Sequence, residues 1–238
     1  MVTQLKLGDI AVDVVLKDIK NIHLSVHPPT GRVRISAPSR MSLDTIRVFT
    51  ISKLEWIKRH QTKLRGQERE TPREYLDRES HYVWGKRYLL KVIECDETPS
   101  IELKHSHMFL RVRPETNDKK KQAVVEEWYR QQIKNAVPQL IGKWEPAMGV
   151  KVERFFVQRM KTKWGSCNPS TRSIRLNTDL AKKPPEYLEY IVVHEVAHLV
   201  VRHHNDRFGS LMDRCLPNWK LLRQGLNNTP LAHADWAY

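Results

Sequence analysis

The run from Pro184 to His198, Pro-Pro-Glu-Tyr-Leu-Glu-Tyr-Ile-Val-Val-His-Glu-Val-Ala-His, constrains the fold more than any other part of the chain. Proline is tolerated in the first helical turn, so Pro184-Pro185 marks the start of a helix. Tyr187, Leu188, Ile191 and Val192 oblige that helix to be buried. Residues four apart on a helix are separated by about 40° and stack one turn above the other. His194 and His198 can therefore converge on one cation, each offering a neutral nitrogen at about 2 Å, as tetrahedral Zn2+ requires. Glu195 lies about 100° round from His194 and about 60° from His198, which puts its carboxylate beside the ion and not on it. There it can act as general base on a water that the metal activates. A catalytic site also needs a third protein ligand, and His203, His204, Asp206 and Asp213 follow downstream. On an uninterrupted helix His204 would point about 80° away from His194. The chain must then turn after about Val200, where it offers no Gly or Pro; Asn205-Asp206 is the nearest stop signal.

Periodicity places this helix late in an α+β chain. Ile10, Val12 and Val14, then Ile22, Leu24 and Val26, then Val33 and Ile35 alternate with polar neighbours, so residues 2–37 read as strands, with a turn at 27–31. From Ser42 the period becomes helical, and Leu43, Ile46, Phe49, Ile51, Leu54, Ile57 and Leu64 predict one long amphipathic helix over about 42–66. Residues 66–80, charged and carrying Pro72, read as a linker or exposed loop. Strands are expected at 82–94 and 101–113, a helix kinked by Pro138 over about 119–148, strands at 150–157 and 173–177, and short helices near 207–215 and 219–226. The expected division is a β-rich N-terminal region, 1–115, and a catalytic domain, 116–238.

Composition narrows the partners. Forty-one Lys and Arg against 27 Asp and Glu give a formal charge of +14, which draws in polyanions and opens the possibility of DNA contact. No apolar run approaches the roughly 20 residues that cross a bilayer. Three separated cysteines with no CxxC pair argue against a disulfide framework. A soluble, cytoplasmic protein that works without a membrane is expected.

Several separated stretches resemble the YgjP-like metallopeptidases, relatives of the SprT-like (Spartan-type) zincins. They are Lys53-Leu-Glu-Trp-Ile57, Trp84-Gly-Lys-Arg-Tyr88, Lys163-Trp-Gly-Ser-Cys167, Ile174-Arg-Leu-Asn177, Pro184-Pro185, Tyr190 through His198, His204-Asn-Asp-Arg-Phe208 and Leu216-Pro-Asn-Trp219. The resemblance implies a zincin-type catalytic domain with His194, His198 and His204 as zinc ligands and Glu195 as the catalytic carboxylate. Gly209 stands where such proteins often carry Trp, and the proline common before the third ligand is missing.

The loop containing Trp164, Gly165 and Ser166 is expected to make a tight turn beside the site. With the strand ending at Asn177 it would form a substrate-binding wall, since an edge strand can pair with an extended peptide. Lys163, Arg159, Arg202 and His203 are candidates to stabilise an oxyanion, Cys167 could close the metal site as a fourth ligand, and His105 and His107 could share a strand face. The leading expectation is a zinc peptidase acting on peptide or protein. The alternative is a nucleic-acid-associated basic protein, either a protease of DNA-bound proteins or a zinc-stabilised binding module without turnover.

Overall fold

The computed structural model describes residues 2–27, 31–65, 74–160 and 163–228. Its contacts gather into two compact units, Met1–Glu70 and Thr71–Tyr238. The first opens with β1 (Val2–Leu7), β2 (Ile10–Lys17), β3 (His23–His27) and β4 (Arg32–Pro38), in the order β1-β2-β4-β3. β2 and β4 are parallel, and both edge strands pair antiparallel. Alternation puts Val12, Val14, Val33, Ile35 and Ala37 on one face, where Ile46 and Ile57 cover them. Of the expected turn at 27–31, positions 28–30 lie outside the described residues.

The helix expected over 42–66 is two helices, α1 (Leu43–Ser52) and α2 (Leu54–Arg65), separated at Lys53. Local chemistry explains the break. The Thr50 and Ser52 hydroxyls donate back to the carbonyls of Ile46 and Phe49, and side-chain bonds of this kind compete with the helical ladder. The Lys53 N–H then closes the first helix onto Thr50 and Ile51. Within the expected linker, positions 66–73 lie outside the described residues.

The second unit repeats the strand plan of the first. β5 (Ser80–Val83), β6 (Lys86–Glu94), β7 (Ser100–Lys104) and β8 (His107–Val112) run in the order β5-β6-β8-β7, again with a parallel central pair and antiparallel edges. In both units the last strand leads to a capped helix: the Ser42 side chain accepts from the Thr45 N–H, and the Asn117 side chain from the Lys120 N–H. The runs 82–94 and 101–113, each read as one strand, are parts of hairpins. Trp84 and Gly85, both at positive φ, turn the first, as a two-residue hairpin loop requires. His105, at φ 52°, turns the second, so it does not share a strand face with His107.

α3 (Asp118–Met148) contains Pro138 and Pro146 and lays Val125, Tyr129, Ile133 and Val137 into the core. Leu90, Met108, Leu110 and Val112 belong to that same core. Strands β5–β8, grouped by sequence with the N-terminal region, thus share a core with the helix that carries His194 and His198. A three-stranded sheet follows, β10-β11-β9, made of β9 (Arg154–Gln158), β10 (Gly165–Asn168) and β11 (Ser173–Asn177). β9 is parallel to β11 and β10 antiparallel, so β10 is an edge. A 3₁₀ turn (Thr178–Lys182) leads to α4 (Pro185–Ala197), α5 (Asp206–Cys215) and α6 (Trp219–Asn228). Trp84 and Gly85 donate to the carbonyls of Ala181 and Lys182, which ties the first hairpin to the approach to α4. All three cysteines are free thiols, and among the described residues no helix is long and apolar enough to cross a membrane.

Candidate metal centre

α4 begins at Pro185 with no side-chain cap and ends at Ala197, earlier than the turn expected after Val200. The unwinding uses the backbone. Leu199 and Val200 donate to the carbonyls three residues back, Val196 and Ala197, the tightening common in a last turn. His198 Nδ1 lies 3.2 Å from the Val201 carbonyl. The Asn205 side chain then caps α5 by accepting from the Phe208 N–H at 3.0 Å. The reversal thus needs no glycine or proline.

This turn carries His204 to His194, with the two Nε2 atoms 3.0 Å apart. His194, His198 and His204 each present a ligand atom, all within 4.8 Å of one another. Nitrogens on a tetrahedral ion at about 2.05 Å would stand about 3.3 Å apart, so the cluster is near the required spacing. Donation from His198 Nδ1–H to the Val201 carbonyl leaves Nε2 unprotonated, its lone pair open to a cation, the usual way in which a second contact fixes a ligand tautomer. His194 Nδ1 is buried without a hydrogen-bond partner; its ring is held by ring contacts, Tyr190 at 5.8 Å and Phe208 at 5.1 Å. Phe208, 2% exposed, also stacks on His198 at 4.8 Å and meets His204 edge-on at 4.8 Å, a floor under all three imidazoles. Burial, with His198, His204 and Arg223 nearby, lowers the His194 pKa to about 3, so the ring stays neutral, the form a metal needs. A divalent cation suits this donor set.

Glu195 is 5% exposed. Burial pushes its carboxyl up to about 8, against the pull of the Lys163 ammonium. Its neighbour is β10. A Cβ on Gly165 would stand 2.6 Å from Glu195 Oε1 and 2.8 Å from Ile191 Cγ2, so only glycine fits between strand and acid. The expected turn at 164–167 is therefore the start of this strand, and Gly165 serves close approach, not a special φ. Cys167 is partly buried in the same strand, its thiol pushed up to about 11 by burial and by Glu195; it is outside the metal-binding group.

The other expected wall residues divide. Ser166 pairs with Arg175 across the sheet. Trp164 packs against the core with the Lys183 ammonium 5.9 Å over its ring. Asn177 is buried, and its amide donates to the carbonyls of Met160 and Lys163 while its oxygen accepts from the Met160 and Asp179 N–H groups. Its side chain holds the loop ahead of β10 in place. His203, Asp206 and Asp213 stay out of the histidine cluster. Sequence reading gave no role to Arg223, whose charge bears on His194 and Tyr190 from α6; nothing in the spacing of an exposed helix flags it. It also gave none to Phe208, although the Asn-x-x-Phe interval of a capped helix start marks that residue.

An α+β fold that gathers three imidazoles and a buried acid at the end of one helix defines the class of metal-dependent hydrolases. The chain belongs to the YgjP-like metallopeptidase family, whose domain model matches residues 20–229, and is thus a metal-dependent peptidase. Two solved structures are similar over part of it. The metallopeptidase zymogen of Pyrococcus abyssi abylysin is 19% identical over 38% of this chain and 90% of that one, with a TM-score of 0.36. The metallopeptidase zymogen of Methanocaldococcus jannaschii jannalysin is 18% identical over 38% and 92%, with a TM-score of 0.34. No curated protein matches the chain.

Proposed function

We propose that the protein hydrolyses peptide bonds with Zn2+ held by His194, His198 and His204 and with Glu195 as general base. The observation that carries the reading is the three-imidazole cluster next to a buried carboxyl. Three neutral nitrogens from three imidazoles suit catalytic zinc. When bound, the ion polarises the scissile carbonyl and lowers the pKa of water to roughly 7. Glu195 takes a proton from the attacking water and returns it to the departing amine. Gly165 holds β10 against that carboxyl, and the free edge of β10 supports an extended peptide through main-chain hydrogen bonds.

Metal analysis with peptide hydrolysis tests this. The Glu195→Gln protein should retain about one zinc per chain and lose hydrolysis by at least about a hundredfold, the scale of general-base catalysis. His204→Ala should lose both metal and activity. Full turnover by purified Glu195→Gln, or zinc retained undiminished in His204→Ala, would sink the assignment.

A further inference from the structure

The four-stranded sheet of the first unit has one covered face and one bare face. Val12, Val14, Val33, Ile35 and Ala37 lie under Ile46 and Ile57, so the residues that alternate with them point the other way. That outer face carries Lys6, Lys17, Arg32, Arg34, His23 and His27, all exposed except half-buried His27. The register sets His27 opposite Arg32, and Arg34 between Asp13 and Ser25. Among the described side chains of the face Asp13 is the one carboxylate; it is 7% exposed and held by Arg32. Lys6, Lys17 and Arg34 have no ion pair among the described residues. Burial and the guanidinium groups of Arg34 and Arg32 hold the His27 imidazole below its usual pKa, as crowded positive charge does. The second unit's sheet, with the same strand plan, balances its charges. On the face turned away from Leu90, Met108 and Leu110, Arg111 is 2.9 Å from Glu102, and the Lys91 ammonium stands 5.9 Å over the Phe109 ring. Like strand plans thus carry unlike faces, and only the first has cations left over.

We propose that the outer face of the first sheet is a sequence-independent docking surface for the phosphate backbone of duplex nucleic acid. Unneutralised cations on a flat surface draw in a polyanion and release its counterions. Guanidinium, ammonium and hydroxyl donors, here Arg34, Lys6 and Ser25, are groups that hold phosphate oxygens. A protein partner calls for an apolar centre, and an anionic membrane for apolar side chains that insert. The face offers neither: its described apolar residues are Ala11, half-buried Val15 and buried Pro38. A single strand calls for aromatic rings on which bases stack, and the described face has no Phe, Tyr or Trp. DNA and RNA duplexes share the backbone chemistry. The proposal is independent of the peptidase reading.

The full chain is titrated into labelled mixed-sequence duplexes, one DNA and one RNA, over a salt series, with binding read by fluorescence anisotropy. The duplex bound more tightly identifies the source. Each phosphate contact contributes about 0.9 to the slope of log K against log salt. The Lys6→Gln/Arg34→Gln double variant should therefore flatten the slope by about 1.8 and weaken binding at least about tenfold near 0.1 M salt. Lys58→Gln/Arg59→Gln, which removes the same charge from α2, should leave the slope within about 0.5 of wild type. Arg32 is left in place because its loss would strand the buried Asp13 carboxylate. Both double variants should melt as wild type does and keep its metal content. If Lys6→Gln/Arg34→Gln melts lower, Lys17→Gln at the end of β2 reads the same effect as a change of about 0.9. An equal loss in the two double variants traces binding to net charge and overturns the proposal. So does a slope that the substitutions on the face leave unaltered, or no binding of either duplex. Tighter binding to phosphatidylserine vesicles, polyglutamate or single strands, lost in the same variants, gives the face to another partner and overturns it too.

Discussion

Without a cation on the three histidines, burial keeps the Glu195 carboxyl protonated; a bound cation would favour the carboxylate that serves as base in the proposed reaction. The Glu195 pKa is raised from 4.5 to about 8, so in metal-free protein it contributes stability that is fully present below about pH 4.5 and is lost as pH rises through about 8. Glutamine at this position has no charge to bury. Metal-free Glu195→Gln should therefore melt higher than metal-free wild type at pH 9, with the gap closing toward pH 5; a gap independent of pH in thermal denaturation would contradict the assignment of burial as the cause. The histidines show how far residues can be read unaided. His194 and His198 follow from the helical repeat alone, because i and i+4 must share a face. His204 does not, because its position depends on where α4 stops, and that stop is made by the three-back hydrogen bonds of Leu199 and Val200 and by the Asn205 cap. Apart from Asn205, none of these carries a residue-type signature.

At the scale of elements, β10 and α4 meet at a single point where one side has no side chain. Gly165→Ala would push a methyl into Glu195 Oε1 and Ile191 Cγ2. Overpacking of this kind costs about 1–3 kcal/mol, so the variant should unfold at lower denaturant and, on the proposed mechanism, keep metal binding and lose most hydrolysis through a displaced carboxyl. Unaltered kcat would show that the carboxyl tolerates the shift. The sequence marks Trp164-Gly165-Ser166-Cys167 as special but suggests a turn, because glycine has two uses, a positive φ and close approach, and only the neighbour across the gap tells them apart. The break at Lys53 is hidden for a related reason: the apolar spacing from Leu43 to Leu64 fits one helix, while hydroxyl bonds from Thr50 and Ser52 decide otherwise. Asn177 shows a second use of a polar residue in a motif, since its amide is engaged with the backbone of Met160, Lys163 and Asp179.

For the whole molecule, two hydrophobic clusters share no residue, one drawn from Leu5 to Ile57 and the other from Tyr75 to Leu226. The second unit contains His194, His198, His204 and Glu195 with the described helices and strands that hold them. A chain beginning at Thr71 should therefore fold cooperatively and bind about one zinc through the three histidines; a fragment with no thermal transition and no bound metal would refute that independence. The α+β class was legible from alternation giving way to helical periods, but the division at 115 was not the one the contacts draw, because strand periodicity says which residues alternate and not which helix covers them.

The two units follow one route, four strands in the same order and then a helix opened by a polar cap, from side chains that have little in common. Val12 and Val33 are neighbours in one sheet as Leu90 and Met108 are in the other. A design met twice with different components is tolerant of its components. In the second unit that tolerance ends wherever a side chain steadies the catalytic helix, as at Gly85, whose Cβ would strike Pro184 at 2.8 Å. The first unit's core, drawn from Leu5 to Ile57, contains none of the three histidines and not Glu195, so its side chains answer to their own packing alone.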